Sequence, residues 1–200
     1  GIPDAAKEAE SILSSLAGID RVSLYRDDPV IPDDTVGKIN LAVKRRSNRE
    51  PLQYILGSVE FFGLKFGVGP GVLIPRPETE ILVQEALREL KDIQSPLVLD
   101  LFTGSGCIAI AVAKNLPAAS VTGTDISPSA LSYAKENAAL NKVSNLVFLE
   151  GPLFGPVGGM VFDAILSNPP YVRTSEIEGL EPEVKDYEPR AALDGGPDGF

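Results

Sequence analysis

The chain has 200 residues, 44% of them hydrophobic and 23% charged, the balance of a globular protein with a sizeable core. No apolar run reaches the roughly 18 residues that a membrane span needs, and no basic-then-apolar signal segment opens the chain. A single cysteine, Cys107, excludes an internal disulfide, so the expected compartment is the cytoplasm. The net charge of −10 is unevenly spread: residues 1–57 hold eight Lys/Arg against nine Asp/Glu, and residues 58–200 hold ten against nineteen. An acidic C-terminal part argues against duplex DNA as the main partner, because phosphate contacts require a basic face.

In chain order, residues 4–17 read as a helix capped by Asp4, with Ala5, Ala9, Ile12, Leu13 and Leu16 in one apolar stripe. A second helix follows the turn-rich stretch 27–34, with Val36, Ile39, Ala42 and Val43 facing one way. It ends in Lys44, Arg45, Arg46 and Arg49, which read as a solvated helix end rather than a partner contact. Residues 50–56 form a helical turn closed by Gly57, and this helical piece is small enough to need a neighbour for burial. Residues 59–68 read as a β-hairpin with a glycine turn, and the Gly- and Pro-rich run 69–77 as a rigid connecting loop. Residues 78–90 form a helix with Val83, Ala86, Leu87 and Leu90 inward. Strands and helices then alternate: strand 97–102, helix 105–115, strand 120–125, helix 128–140 capped by Ser127 with Pro128 at its first position, and strands 146–150 and 161–167. The pattern predicts an α/β doubly wound, Rossmann-like parallel sheet at 78–200, a hairpin and linker at 58–77, and a helical domain at 1–57.

The segment 98–107 places Asp100, Phe102, Thr103, Gly104, Ser105 and Gly106 where the first sheet strand turns into a helix. Glycines let a backbone pass close to a ligand, and a helix N-terminus offers unpaired N–H groups. A tight turn without a ligand is the plain alternative. The dinucleotide pattern G-x-G-x-x-G is absent, with Phe at 102 and Ala at 109. Asp125 ends the second strand nineteen residues after Gly106, where a carboxylate accepts bonds from two ribose hydroxyls. A ligand with a ribose and no pyrophosphate, such as S-adenosylmethionine, suits this loop better than a dinucleotide. Asp100 reads both as a cap on the turn and as a neighbour of the cofactor's amino-acid end.

Asn168, Pro169, Pro170 and Tyr171 close the fourth strand, and ligands of open α/β sheets bind beyond the carboxyl ends of strands. Successive prolines remove backbone donors, leaving carbonyl oxygen, the Asn168 amide and the Tyr171 ring. Two acceptors, the Asn168 side-chain oxygen and the Pro169 carbonyl, suit the two N–H bonds of a planar –NH2 group and aim its lone pair at a methyl donor. Tyr171 suits stacking on that group. The absence of histidine disfavours hydrolytic triads and most zinc chemistry, and no metal site is expected.

With these motifs in place, the chain resembles the HemK-type protein-(glutamine-N5) methyltransferases. The matching segments are 49–57, 73–80 (Leu-Ile-Pro-Arg-Pro-Glu-Thr-Glu), the glycine loop, 168–171 and 187–196 (Tyr-Glu-Pro-Arg-Ala-Ala-Leu-Asp-Gly-Gly). The resemblance implies methylation of the glutamine in the Gly-Gly-Gln motif of peptide-chain release factors, with S-adenosylmethionine as cofactor and no direct nucleic-acid contact; the sequence does not give the oligomeric state, and a monomer is the favoured form. It assigns 1–57 to docking the release factor, 102–106 and Asp125 to the cofactor, Leu153 to the neighbourhood of its adenine, and Asn168 to Tyr171 to the glutamine amide. It sets the loop 75–80 over the mouth of the site, a role the residue chemistry by itself does not give.

Three departures stand out. Many relatives carry Gly where Phe102 stands, and many carry an acid where Pro152 stands, a carboxylate suited to the adenine amino group; backbone or Glu150 would replace it here. The chain also begins without Met inside the first helical region and reaches Phe200 after four sheet strands, whereas the family fold has three more. The resemblance therefore implies a catalytic domain truncated at its C-terminal strands, with an exposed sheet edge. Competing readings are an adenine or guanine amino group of DNA or RNA as acceptor, and a non-catalytic cofactor-binding fragment acting through protein contacts. A nicotinamide-dependent dehydrogenase is disfavoured by the missing third glycine.

Overall fold

A computed structural model describes residues 2–199; Gly1 and Phe200, the outer limits of the two expected domains, lie outside the described residues. The first 57 residues are helical: α1 (Ala5–Ala17), α2 (Arg21–Arg26), α3 (Asp33–Ser47) and α4 (Leu52–Leu56). Ile12, Ala42 and Ile55 form a small core, packed by Leu16, Ile39, Leu52 and Leu56.

Three expectations here need correction. Asp4 precedes α1 in a left-handed conformation (φ 54°) and makes no side-chain capping bond. α2 was not anticipated, although Asp20 is a true cap: its Oδ1 accepts from the backbone N–H groups of Val22 and Ser23 at 3.0 and 3.1 Å. In α3, Val36 and Val43 are exposed, and the buried face runs through Ile39, Ala42 and Arg46 instead. The basic cluster is accordingly not a solvated end. Arg46 is only 7% exposed and pairs with Glu8 of α1 and with Glu183, 137 residues further on. Arg45 pairs with Glu50, and Arg49 with Glu181 and Glu183.

The hairpin pairs β1 (Ser58–Phe61) with β2 (Leu64–Gly67) through a two-residue turn, Phe62-Gly63, with φ of 51° and 69° at its two positions. Such doubly left-handed turns match the twist of the flanking strands. Phe61 and Phe66 meet edge to face at 5.9 Å and insert into the main core. Helix α5 (Thr79–Leu90) buries Val83, Ala86 and Leu90 as its spacing predicts.

The sheet has strands β3 (Leu97–Leu101), β4 (Ser120–Asp125), β5 (Leu146–Glu150) and β6 (Ala164–Ser167) in the order β5-β4-β3-β6, all parallel. The chain leaves β3 in one direction and returns to its other side, so the topological switch point lies between β3 and β6. Helix α6 (Cys107–Asn115) is buried along residues 107–113, which explains its near-continuous apolar sequence. Helix α7 (Pro128–Leu140) starts as expected, with the Ser127 hydroxyl oxygen accepting from Ala130 N at 3.2 Å. β6 begins three residues later than the sequence suggests: Val161 is 82% exposed, and Asp163 turns its carboxylate onto Leu97 N at 2.8 Å. Beyond β6 come a 3-10 turn (Thr174–Gly179), the one-turn helix α8 (Pro182–Lys185) and a second 3-10 turn (Arg190–Ala192).

Candidate active site

Phe102, Gly104 and Gly106 all have left-handed φ (57°, 55° and 79°), which ends β3 one residue early and delays α6 to Cys107. The loop is closed from inside. Asp100 is fully buried; its Oδ2 accepts from Thr103 Oγ1 at 2.6 Å and Ala109 N at 3.2 Å, while its Oδ1 has no partner among the described residues. Burial pushes this carboxyl up to about 7, against the smaller opposing effect of those two bonds, with the Asp125 charge adding to the rise. The loop is also closed from outside. Asp125 Oδ2 accepts from Gly104 N at 2.9 Å and Oδ1 from Ser127 N at 2.9 Å. Each Asp125 oxygen thus keeps capacity for one further donor.

Phe102, Thr103, Gly104, Ser105 and Asp125 line a cavity of about 260 Å³ together with Asn168, Pro170 and the 71–79 segment. Asp100 and Gly106 sit behind the loop and shape it without lining that cavity. Leu153, 54% exposed, stands outside it too, as do Glu150 and Pro152. The far wall consists of Leu73, Pro75, Arg76, Pro189, Ala191 and Ala192; the resemblance places 75–80 over the mouth of the site but gives no site role to Pro189, Ala191 and Ala192.

A second cavity of about 430 Å³ adjoins the first. Pro169, Tyr171, Val172, Leu180, Val184 and Leu193 line it, and it shares Leu73, Arg76, Thr79, Asn168 and Ala192 with its neighbour. Of the four residues expected to hold the acceptor, Pro169 and Tyr171 therefore face the second cavity, Pro170 the first, and Asn168 both. Tyr171 is two-thirds exposed.

The loop 74–80 has a definite task. Arg76 pairs with Glu188, whose side chain is almost wholly buried and whose Oε2 also accepts from Ile74 N at 3.1 Å. Thr79 Oγ1 accepts from Asn168 Nδ2 at 3.4 Å. Glu80 Oε1 accepts from Phe62 N, in the hairpin turn, at 2.8 Å. Three side chains of one short segment thus fasten the C-terminal loop, the strand-end Asn and the hairpin. Tyr54 reinforces the loop by donating its hydroxyl to Val72 O at 2.5 Å, and burial raises that phenol beyond its usual range. On the other flank, Val172 N donates to Leu193 O and Gly195 N to Val172 O, both at 2.9 Å. Segments 74–80, 168–172 and 188–195 are therefore joined in a closed ring of contacts around part of the two cavities. Among the described residues no group of three or more His, Cys, Asp or Glu is placed to hold a metal ion, and no helix is long and apolar enough to cross a membrane.

Comparison with known proteins agrees with this architecture. The family described as "Methyltransferase small domain" matches residues 77–180, and "PrmC N-terminal domain" matches residues 1–57. The chain is 48% identical over 196 residues to the release factor glutamine methyltransferase of Thermodesulfovibrio yellowstonii, covering 97% of this chain and 70% of that protein. It is 51% identical over 202 residues to the same enzyme of Geobacter sulfurreducens, covering 100% of this chain and 70% of that protein. Among solved structures, the 16S rRNA N2 G1207 methyltransferase of T. thermophilus, in complex with AdoMet and guanosine, superimposes with a TM-score of 0.51 at 22% identity, over 58% of this chain and 33% of that one. That likeness concerns the fold. With the two-part organisation, the glycine loop and the near-complete match to these relatives in view, the chain belongs to the release factor glutamine methyltransferases, a family of S-adenosylmethionine-dependent enzymes.

Proposed function

We propose that this chain transfers a methyl group from S-adenosylmethionine to the side-chain amide nitrogen of the glutamine in the Gly-Gly-Gln motif of peptide-chain release factors. The observation that carries the reading is the position of Asn168, which lines both cavities and bonds through its Nδ2, to Thr79 Oγ1, leaving its oxygen with no bond to the described residues. The cavity beside the glycine loop would take the cofactor, and the cavity beside Tyr171 the acceptor. Such a substrate implies a cytoplasmic site of action.

The residues present fit the cofactor. Asp125 keeps a lone pair on each oxygen for two ribose hydroxyls, and a Cβ added at Gly104 would meet nothing closer than Phe102 O at 3.9 Å, so the loop is open on its cavity side. When bound, S-adenosylmethionine supplies a methyl carbon made electrophilic by its sulfonium. The protein's part is orientation. An amide nitrogen is a poor nucleophile because its lone pair is delocalised into the carbonyl. Asn168 Oδ1 and the Pro169 carbonyl would accept its two N–H bonds, hold the nitrogen in line and favour positive charge developing there. The Tyr171 ring would cover one face of the planar amide. No base of high pKa is required, since a methylated amide nitrogen bearing an extra proton is a strong acid.

The test is transfer of radiolabelled methyl to three acceptors: a release factor, the same factor with its Gly-Gly-Gln glutamine changed to alanine, and duplex DNA. Label in the first alone is the expected result. Label in DNA, or label that survives the glutamine change, would refute the acceptor assignment while leaving the cofactor cavity intact.

A further inference from the structure

The helical domain and the acceptor cavity meet at α8. Val184 of this helix and Leu180 just before it form one wall of the cavity that adjoins Asn168 and Tyr171. The neighbouring Glu183 turns the other way. Its Oε1 accepts from Arg46 Nη1 at 2.8 Å and its Oε2 from Arg49 Nη2 at 2.6 Å. Arg46 is in turn held by Glu8 of α1 and by the Glu50 carbonyl at 3.2 Å. A helix of four residues does not sustain itself in water, so α8 depends on what fastens it from outside. Within the segment, Lys185 Nζ donates to Glu178 O at 2.8 Å. The side-chain bonds of Glu181, Glu183 and Tyr187 end on residues 46–49, where Tyr187 donates its hydroxyl to Asn48 O at 2.8 Å, while the next residue, Glu188, bonds Arg76 and Ile74 N instead.

The contact is protected from water: the side chains of Arg46 and Glu183 are 9% and 16% exposed. Burial opposes ionisation of Glu183, yet the bonds from Arg49 and Arg46 outweigh it and hold the carboxyl below its usual range. A pair so placed is sensitive to the loss of either partner, because the survivor is left as a poorly solvated charge.

We infer that Glu183 is a positioning residue for the acceptor: through Arg46 and Arg49, the helical domain sets where Val184 and Leu180 wall the acceptor cavity. The domain is then part of the acceptor site as well as a docking arm. This rests on the reading of the cavity as an amide site, and it adds that the ion pairs govern turnover rather than capture.

The experiment uses the full chain and the substitution Glu183→Gln, which keeps the side chain's shape and removes its charge. Three quantities are measured: kcat and KM for the release factor, and the affinity for S-adenosylhomocysteine by calorimetry. The expected result is a kcat lowered by about ten- to hundredfold, the cost of a wall misplaced by about an ångström, with KM and the S-adenosylhomocysteine affinity little changed, since α8 does not line the cofactor cavity. A raised KM with kcat retained would overturn the inference, because the contact would then serve docking alone. A parallel loss of S-adenosylhomocysteine affinity would also overturn it, as general damage to the fold. If Glu183→Gln does not fold, Arg49→Lys carries the test with the same three readouts. Binding of S-adenosylhomocysteine without any transfer by the wild-type chain would overturn the amide reading itself, and this inference with it.

Discussion

Replacing Asp100 by Asn is expected to make the protein more stable at neutral pH, by a margin that grows as pH rises from about 4 to about 7 and then holds. The carboxyl is fully buried, one of its oxygens has no partner among the described residues, and it titrates near 7 instead of its ordinary 3.8. The folded state therefore holds its proton up to about pH 7, whereas the unfolded chain releases it near 4. Across that window the folded state binds more protons, so stability falls as pH rises and levels off above about 7. The gap between the two values corresponds to on the order of 4 kcal/mol at neutral pH. Asn has no charge to lose, and its amide oxygen can still accept from Thr103 Oγ1 and Ala109 N. The assay is urea denaturation of both proteins at intervals from pH 4 to 8. The difference in unfolding free energy, variant minus wild type, should climb through the window and flatten outside it. A flat difference across the window, or one that climbs in the opposite direction, would refute the claim that burial dominates this carboxyl.

Three further predictions concern the ring of segments around the cavities. Glu188→Ala leaves Arg76 and the Ile74 N–H without their acceptor and should cost roughly 2–3 kcal/mol of stability by chemical denaturation; an unchanged midpoint would show the pair to be idle. A Cβ at Gly195 would lie 2.8 Å from Pro170 O and 2.9 Å from Tyr171 Cα, both backbone atoms, so Gly195→Ala should shift the Asn-Pro-Pro-Tyr segment and cost about 1–3 kcal/mol. Methyl transfer should drop with it, and wild-type turnover would count against the ring. Asn168→Ala should lower kcat by about a hundredfold with a smaller change in S-adenosylhomocysteine affinity, measured by single-turnover kinetics and calorimetry.

What sequence inspection could see depended on how local each signal was. The glycine loop was readable because left-handed residues at a strand end have few sequence solutions. The Ser127-Pro128 start of α7 was readable for a similar reason. Phe102 is instructive on this point. It stands where many relatives have Gly, and it does adopt the left-handed conformation that Gly favours (φ 57°), at a cost of about 1–2 kcal/mol. Its ring packs against the cluster of Leu99, Leu101 and Val157, which offsets that strain. By contrast, Arg46, Arg76 and Glu188 owe their roles to partners more than a hundred residues away, apart from the Arg46 contact with Glu8. No local pattern announces such a partner. The one available hint was that Ile39, Ala42 and Arg46 share a helical face, so that a cation sits on a stripe that otherwise points inward. Val36 and Val43 misled because hydrophobicity alone does not say which side of a short helix meets its neighbours.

The ring of hydrogen bonds also has a consequence for the order in which the molecule forms. The pairs β3–β4 and β4–β5 join neighbouring segments, and residues 97–150 include the glycine loop and Asp125. The walls that residues 180–193 supply instead wait for contacts such as Arg76 with Glu188 and Arg46 with Glu183, which span 112 and 137 residues. Contacts of such long range carry the larger loop-closure entropy and tend to be made late. A chain that has emerged from the ribosome as far as residue 180 would hold its four strands and its glycine loop but not Glu183 or Glu188. Residues 180–193, which complete the walls of both cavities, are therefore added only after the sheet and the glycine loop are in place.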